Sequence, residues 1–492
     1  MKRSTLVPAI LGAALLVAAA GCENSTGPAT GATGLVTGAL QVHLTTSGAD
    51  LDLDGYTVSV DGGATQAVGM NGQLNYAGLS AGGHSVALAG VASNCAVSGA
   101  NPRVVDVIRG DTTSVAFEVR CVATTGSLIL IAAVPVPPNY GIHDTFVRDG
   151  LAFVSAWNSG LMIFDVGNGM RGGSPAAPAL VSSLVTSDNG VPRGPAVHNA
   201  WWFHNPSTGE RRYVFIGQEG PFTYGPPVTA SGDIHVVDVA DLANPVEVAY
   251  FHLPGAGPHN FWMDESAQIL YSAYYNAGVV ALDVSGTLSG NLAGREIARI
   301  QPGGSGSTSV WGVQLAGGFL YAIDELSGLW QLQLSGSGFT VRGGGLNLPR
   351  GASSDFWVHA GHAYTGQLHA CAGECPPGVT LSSLYVWRLD ASGAPTLVDS
   401  IVVGSSGGLD HVTDVEVSDD GKVLMFSDEG GTGLHFYDLA DPARPRLLAR
   451  TVVPAGVHTA TFGVIGGRRY VFAAKDPPDP ALLIYDVTDL MR

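Results

Sequence analysis

The feature that most constrains this 492-residue chain is an imperfect repeat filling its last three quarters. Seven segments share one pattern: Gly160–Gly167 (GLMIFDVG), Gly232–Val246 (GDIHVVDVADLANPV), Gly278–Gly286 (GVVALDVSG), Gly328–Gly336 (GLWQLQLSG), Leu384–Pro395 (LYVWRLDASGAP), Gly433–Pro445 (GLHFYDLADPARP) and Leu482–Asp489 (LLIYDVTD). Each is an apolar strand, in most copies ending at or near Asp, often followed by a Pro-containing turn and another apolar run such as Val246–Leu253, Pro395–Val403 or Pro445–Val453. Upstream of each lies a polar or aromatic marker: His143-Asp144, His198-Asn199, His259-Asn260, Trp311-Gly312, Ser354-Asp355, His411 with Asp414, and His458-Thr459. The markers are 55, 61, 52, 43, 57 and 47 residues apart. A period near 50 built from four short strands is the signature of propeller blades, and seven copies predict seven blades.

The ends of the repeat supply a second constraint. After Thr459–Val464 and Arg469–Ala474 the last copy offers one more strand, Leu482–Val487. An unassigned apolar strand over 127–136 precedes the first copy, and pairing it with the C-terminal blade closes a ring and removes two sheet edges. The 68 glycines and 28 prolines agree with many short elements joined by turns. The predicted propeller therefore spans 124–492.

The preceding region is organised differently. Over 35–123, Tyr56–Val60, His84–Leu88 and Val115–Val119 alternate with period two between Gly and Asp turns. Five or six such strands fit a small β-sandwich spacer, and the turn at Gly78–Gly82 resembles those of prealbumin-like and Ig-like modules of bacterial surface proteins. The fold class expected is thus all-β: a seven-bladed β-propeller preceded by a small sandwich. Met1-Lys2-Arg3, an apolar run from Leu6 to Ala20 and small residues describe an export signal over 1–21, too short to span a bilayer. Ala19-Ala20-Gly21-Cys22 resembles the bacterial lipoprotein box, which implies lipidation of Cys22, a flexible tether over 22–34 and a membrane-anchored protein facing periplasm or exterior. Ordinary cleavage without lipid is the alternative.

The repeat resembles the LVIVD-repeat β-propellers of bacterial and archaeal surface proteins. Their Gly-Leu-x-Ile-x-Asp-Val followed by Asp/Asn-Pro-x-x-Pro is best kept from Gly433 to Pro445 and, in part, from Asp238 to Pro245. Trp311 and Ser354 stand where other copies carry His. The resemblance implies a fold and a compartment more than an activity.

In a propeller the residues entering the inner strands share one face with the hairpins between second and third strands. His143, His198, His259, His411 and His458 are then grouped with Glu219, Glu325 and Glu429 around one channel mouth. Imidazoles with carboxylates suit zinc or copper. Against this stands a purely structural use, since propellers repeat polar residues to tie strands together. The discriminating geometry is whether three imidazole nitrogens meet at one point. Trp202, Trp262, Trp311 and Trp357 are candidate stacking residues for a sugar or peptide, and the aromatic insertion over 220–232 is a candidate binding loop. Asp50, Asp52, Asp54 and Asp61 have the oxygen spacing of a calcium loop, although a strand follows where a helix should.

Four cysteines besides Cys22 in an exported chain favour disulfides, Cys95 with Cys121 and Cys371 with Cys375. The alternative at Cys371 and Cys375 is half a zinc site with His359, His362 or His369. The formal charge of −18 disfavours nucleic acid. No nucleophile elbow, zincin motif, phosphate loop or dinucleotide fingerprint occurs. The expectation is therefore a lipid-anchored binding or scaffold protein for a protein, peptide or glycan partner; the missing motifs do not exclude an enzyme, because propeller active sites are assembled from separate blades. A metal-dependent oxidoreductase or hydrolase built on the channel histidines is the alternative.

Overall fold

A computed structural model describes residues 37–48, 51–52, 55–92, 95–121, 128–137, 141–190, 194–223, 227–345, 347–348, 352–368, 382–390, 394–403, 411–430, 432–475 and 477–490. The signal segment, Cys22, the tether, Asp50, Asp54, Cys371 and Cys375 lie outside the described residues. Among the described residues no helix is long and apolar enough to cross a membrane. Regular structure is almost entirely strand, with one short 3-10 turn at Ala293–Arg295.

Between Thr37 and Cys121 eight strands form two four-stranded sheets, more than the five or six expected. The surplus comes from pieces of three residues, Gln66–Val68 and Cys95–Val97, too short for a periodic pattern to register. Both sheets contribute to one core, where Leu40, Val42 and Phe117 meet Val58, Val86 and Leu88. The expected disulfide joins Cys95 to Cys121 on neighbouring strands.

From Ile129 to Asp486 the chain is a β-propeller. Four-stranded antiparallel sheets follow one another in chain order, and one gains a short fifth strand, Gly290–Asn291. The first strands of successive sheets are Asp144–Arg148, Val197–Phe203, Phe261–Asp264, Val310–Ala316, Ala352–His359, Val412–Val417 and Val457–Ile465. The last sheet is completed by the early strand Ile129–Pro135, paired with Ala481–Asp486 from Ala481↔Pro135 to Asp486↔Ile129. Apolar side chains of adjacent sheets pack against each other, as Phe153 and Ile163 do against Trp202 and Ile216.

Gly160, Gly278 and Gly433 open third strands at φ of +84°, +83° and +84°. A Cβ there would lie 2.2, 2.0 and 2.2 Å from a carbonyl oxygen of the outer strand, so only glycine fits. The Asp ending the strand caps the following turn: Asp165, Asp238, Asp283, Asp438 and Asp486 each accept the backbone N–H two residues on, at 2.9–3.0 Å. Asp165 goes further, accepting also from Gly169, Arg171 and Gly173. Burial alone would raise this carboxyl, but those backbone donors outweigh it and hold it well below the usual range. Asp165→Ala should therefore cost about 2 kcal/mol by removing a charged acceptor shared by four turn N–H groups, read as a lowered denaturation midpoint at pH 7. Because the folded value is depressed, that contribution disappears as pH falls below about 4, so variant and parent should converge in acid.

Candidate functional site

Two local devices bring the marker residues to the axis. A break in strand register sits at the marker position in most inner strands, between Val197 and Asn199, Val310 and Gly312, Val412 and Asp414, and Val457 and Ala460. Such a bulge re-aims a side chain that strict alternation would send into the sheet-to-sheet packing. The hairpins between second and third strands are stitched to the next inner strand. The Trp157 carbonyl accepts from Val197 N–H at 3.1 Å and the Tyr275 carbonyl from Val310 N–H at 3.0 Å. Both residues hold left-handed backbone, at φ +49° and +33°, which is costly for aromatic residues and is kept by these ties.

Four imidazoles from the first, second, third and last propeller sheets form a continuous column. Ring centroids are 3.9 Å apart for His458 and His143, 3.8 Å for His143 and His198, and 4.1 Å for His198 and His259. Trp157 stacks on His143 at 4.9 Å and Trp311 covers His259 at 4.7 Å. His259 Nδ1 lies 2.6 Å from the Trp311 carbonyl oxygen, which can only accept, so Nδ1 carries the proton and Nε2 the lone pair. His458 Nδ1 makes a short contact with Glu429, which fixes the same tautomer. Among the described residues, buried His198 bonds to no neighbouring strand, and the side chain that reaches it is that of Asn199. His411 stands at the rim, its Nδ1 3.5 Å from Glu429.

Burial, then repulsion among the rings, pushes His143 and His198 well below the ordinary imidazole value; burial brings His259 down to about 3. Glu219 is 5% exposed; it accepts a short hydrogen bond from the Tyr275 hydroxyl, and its other oxygen lies 3.9 Å from His143 Nε2. One ligand atom each from His143, His198 and Glu219 lies within 4.8 Å of the other two. Burial would raise the Glu429 carboxyl, but His458 and His411 hold it well below the usual range. Glu325 accepts from the Ser309 hydroxyl at 2.9 Å, and burial lifts it to about 7.

Below this column two further layers line the axis. In the first, Asp355 accepts from Asn260 across the fourth propeller sheet, where Gly312 has no side chain, and from Val415 N–H; Asp414 accepts from Ala460 N–H at 2.7 Å. These acids tie one sheet to the next. Two residues further along each strand, Phe146, Trp201, Trp262 and Trp357 touch in series at 5.2, 5.7 and 5.8 Å. Glu416 and Gln314 occupy this layer too and bond to Phe462 and Val358 N–H.

Several predicted residues fall differently. Trp202 is buried between the first and second propeller sheets with its indole N–H donated to the Arg211 carbonyl, so Trp201, not Trp202, belongs to the axial ring. Trp311 packs over His259, and the insertion places Phe222 on Tyr275 at 4.8 Å. Asp52 accepts from Ala92 N–H, while Asp61 accepts from His84 and Ser85 N–H. The carboxylate layer of Asp144, Asp355 and Asp414 was missed as a unit, although its signal, an acid or amide following the marker, stands in most copies.

No protein-family model matches this sequence, and no curated protein matches it. Among solved structures, the WD40 β-propeller domain of Doa1 is similar at a TM-score of 0.47 and 10% identity, over 73% of this chain and 97% of that one.

The imidazole column carries a pH prediction. Unfolded, these histidines return to about 6.5 and bind protons that the folded protein refuses. Metal-free protein should therefore lose stability as pH falls from about 6.5 towards 3. Denaturation midpoints at pH 7 and pH 5 should differ less in His198→Gln than in the parent.

Proposed function

We propose that this chain is a metal-binding propeller whose imidazoles His143 and His198 hold one transition-metal ion, with His458 and His259 flanking them in the column. The observation that carries the reading is the direction of the ring nitrogens. His259 and His458 give their Nδ1–H to oxygens outside the column, the arrangement that orients metal-ligating histidines, and buried His198 stands between His143 and His259 with the Asn199 side chain beside it. A purely structural histidine would spend both nitrogens on neighbouring strands, whereas His259 spends one, Nδ1 on the Trp311 carbonyl, and keeps Nε2 for the column. Neutral imidazole with nearby carboxylate suits zinc, copper, iron or nickel. Such an ion supplies Lewis acidity or redox chemistry to a reaction at the mouth. A protein, peptide or glycan partner on the same face is compatible with this reading.

The wider assignment is a seven-bladed, LVIVD-like propeller behind a β-sandwich spacer, exported and anchored through a lipid on Cys22. The repeat spacing, the pairing of Ile129–Pro135 with Ala481–Asp486 and the N-terminal sequence support it. Cys22→Ser should move the protein from the membrane fraction to the soluble one after cell breakage.

Elemental analysis of tag-free protein should give about one transition-metal ion per chain. His198→Ala and His143→Ala should each lower occupancy to background while leaving the circular dichroism of the strands intact. Protein without metal after exposure to zinc, copper and iron salts would overturn the reading.

A further inference from the structure

We propose that the two carboxylates flanking the imidazole column act differently: Glu219 is itself a ligand of the bound ion, whereas Glu429 is a positioning residue that acts through His458. The inference rests on the metal reading above and divides its inner site by what each oxygen touches.

Glu219, Glu325 and Glu429 follow the second strands of alternate sheets, so the fold offers three comparable carboxylates to one mouth. Glu219 and Glu325 are both buried, and only Glu219 faces the imidazoles of His143 and His198. Its neighbours on the axis are His143 and His198, and it shares with them the point from which one ligand atom of each lies within 4.8 Å of the others. An ion with bonds of ~2.1 Å draws tetrahedral ligand atoms to ~3.4 Å, a contraction within reach of small side-chain rotations. The second Glu219 oxygen takes the Tyr275 hydroxyl. Tyr275 is fully buried and clamped by Phe222 stacked at 4.8 Å with 18° between planes. The carboxylate is therefore aimed before any ion arrives, which is what a ligand needs.

Glu429 is built for another task. Its side chain is 28% exposed, and its two oxygens go to the Nδ1 atoms of His458 and His411. Holding His458 by Nδ1 presents Nε2 to the column, and the carboxylate stays outside it. Glu325, engaged by the Ser309 hydroxyl, serves as an internal control. The resulting site is the His143 and His198 nitrogens with one Glu219 oxygen, and His458 as the flanking imidazole that Glu429 orients, without sulfur.

The test uses full-length protein, with Zn(II) affinity from competition against a chromophoric chelator and the visible absorption of bound Co(II) as a reporter of the ligands. Glu219→Gln should weaken Zn(II) by about tenfold or more and shift the Co(II) bands, because an anionic donor is lost. Glu429→Ala should weaken Zn(II) by about 10–100-fold with the Co(II) band positions retained. Glu429→Gln, whose amide oxygen still accepts the His458 proton, should recover most of that loss, and Glu325→Gln should match the parent. Should Glu219→Gln fold poorly, Tyr275→Phe keeps the stacked ring and removes only the hydroxyl; it should shift the Co(II) bands in the same direction by less. Parental Co(II) bands in Glu219→Gln, or in Tyr275→Phe where that variant stands in, would overturn the ligand role. Parental Zn(II) affinity in Glu429→Ala would overturn the positioning role. Both results leave the imidazole site standing, whereas a parent protein that takes up neither ion removes the metal reading as well.

Discussion

The structure depends on one interaction above others: the ladder between Ile129–Pro135 and Ala481–Asp486, residues some 350 positions apart. Without it the last sheet would keep three strands and an open edge, and the ring would have no reason to hold its curvature. With it, His143 at the beginning of the propeller meets His458 near its end, and the Thr459 hydroxyl bonds the His143 carbonyl at 2.7 Å across the seam. One of the column's three ring contacts, His458 to His143, exists only because the ends are joined.

Closure also explains why the axis is so densely tied. Each inner strand is short and twisted, so neighbouring sheets meet over little backbone near the centre. Side chains replace the missing ladder. Gln314 reaches Val358, Asp355 reaches Val415, Asp414 reaches Ala460 and Glu416 reaches Phe462. Each satisfies a backbone N–H that would otherwise be stranded. Burial raises the acids, with Asp355 at about 6 and Asp414 well above its usual value, the latter pushed also by its neighbour. The same geometry that buys rigidity at the axis concentrates proton-holding groups beneath a column of neutral imidazoles. The histidines differ from these acids in one respect: the acids spend their oxygens on backbone N–H groups of the next sheet, whereas the imidazoles face one another at 3.8, 3.9 and 4.1 Å. That contrast separates a tie from a site.

Much of the fold is legible in the chain because the constraints are local. Gly160, Gly278 and Gly433 are needed wherever a third strand starts against an outer-strand carbonyl, and the Asp that ends the strand is needed wherever the turn requires a cap. These requirements recur in most sheets, so they recur in the sequence, and they reveal strand order and ring closure. The markers are legible for the same reason, as residues at one repeated position. The Trp201–Trp202 pair was less so, since alternation cannot say which of two adjacent rings faces the axis until the bulge beside His198 sets the register.

What the amino-acid order determined alone is therefore the period, the all-β class, the Cys95–Cys121 bridge and the set of histidines that share a level. Tertiary structure decided which of them meet. His143, His198, His259 and His458 form the column, His411 stays at the rim, and Trp311 takes the place of a further imidazole as a cover. The physical reason is that a repeated position specifies a height along the axis, whereas the distance to the axis depends on bulges, neighbouring bulk and the hairpin from the sheet before, none of which the repeat encodes.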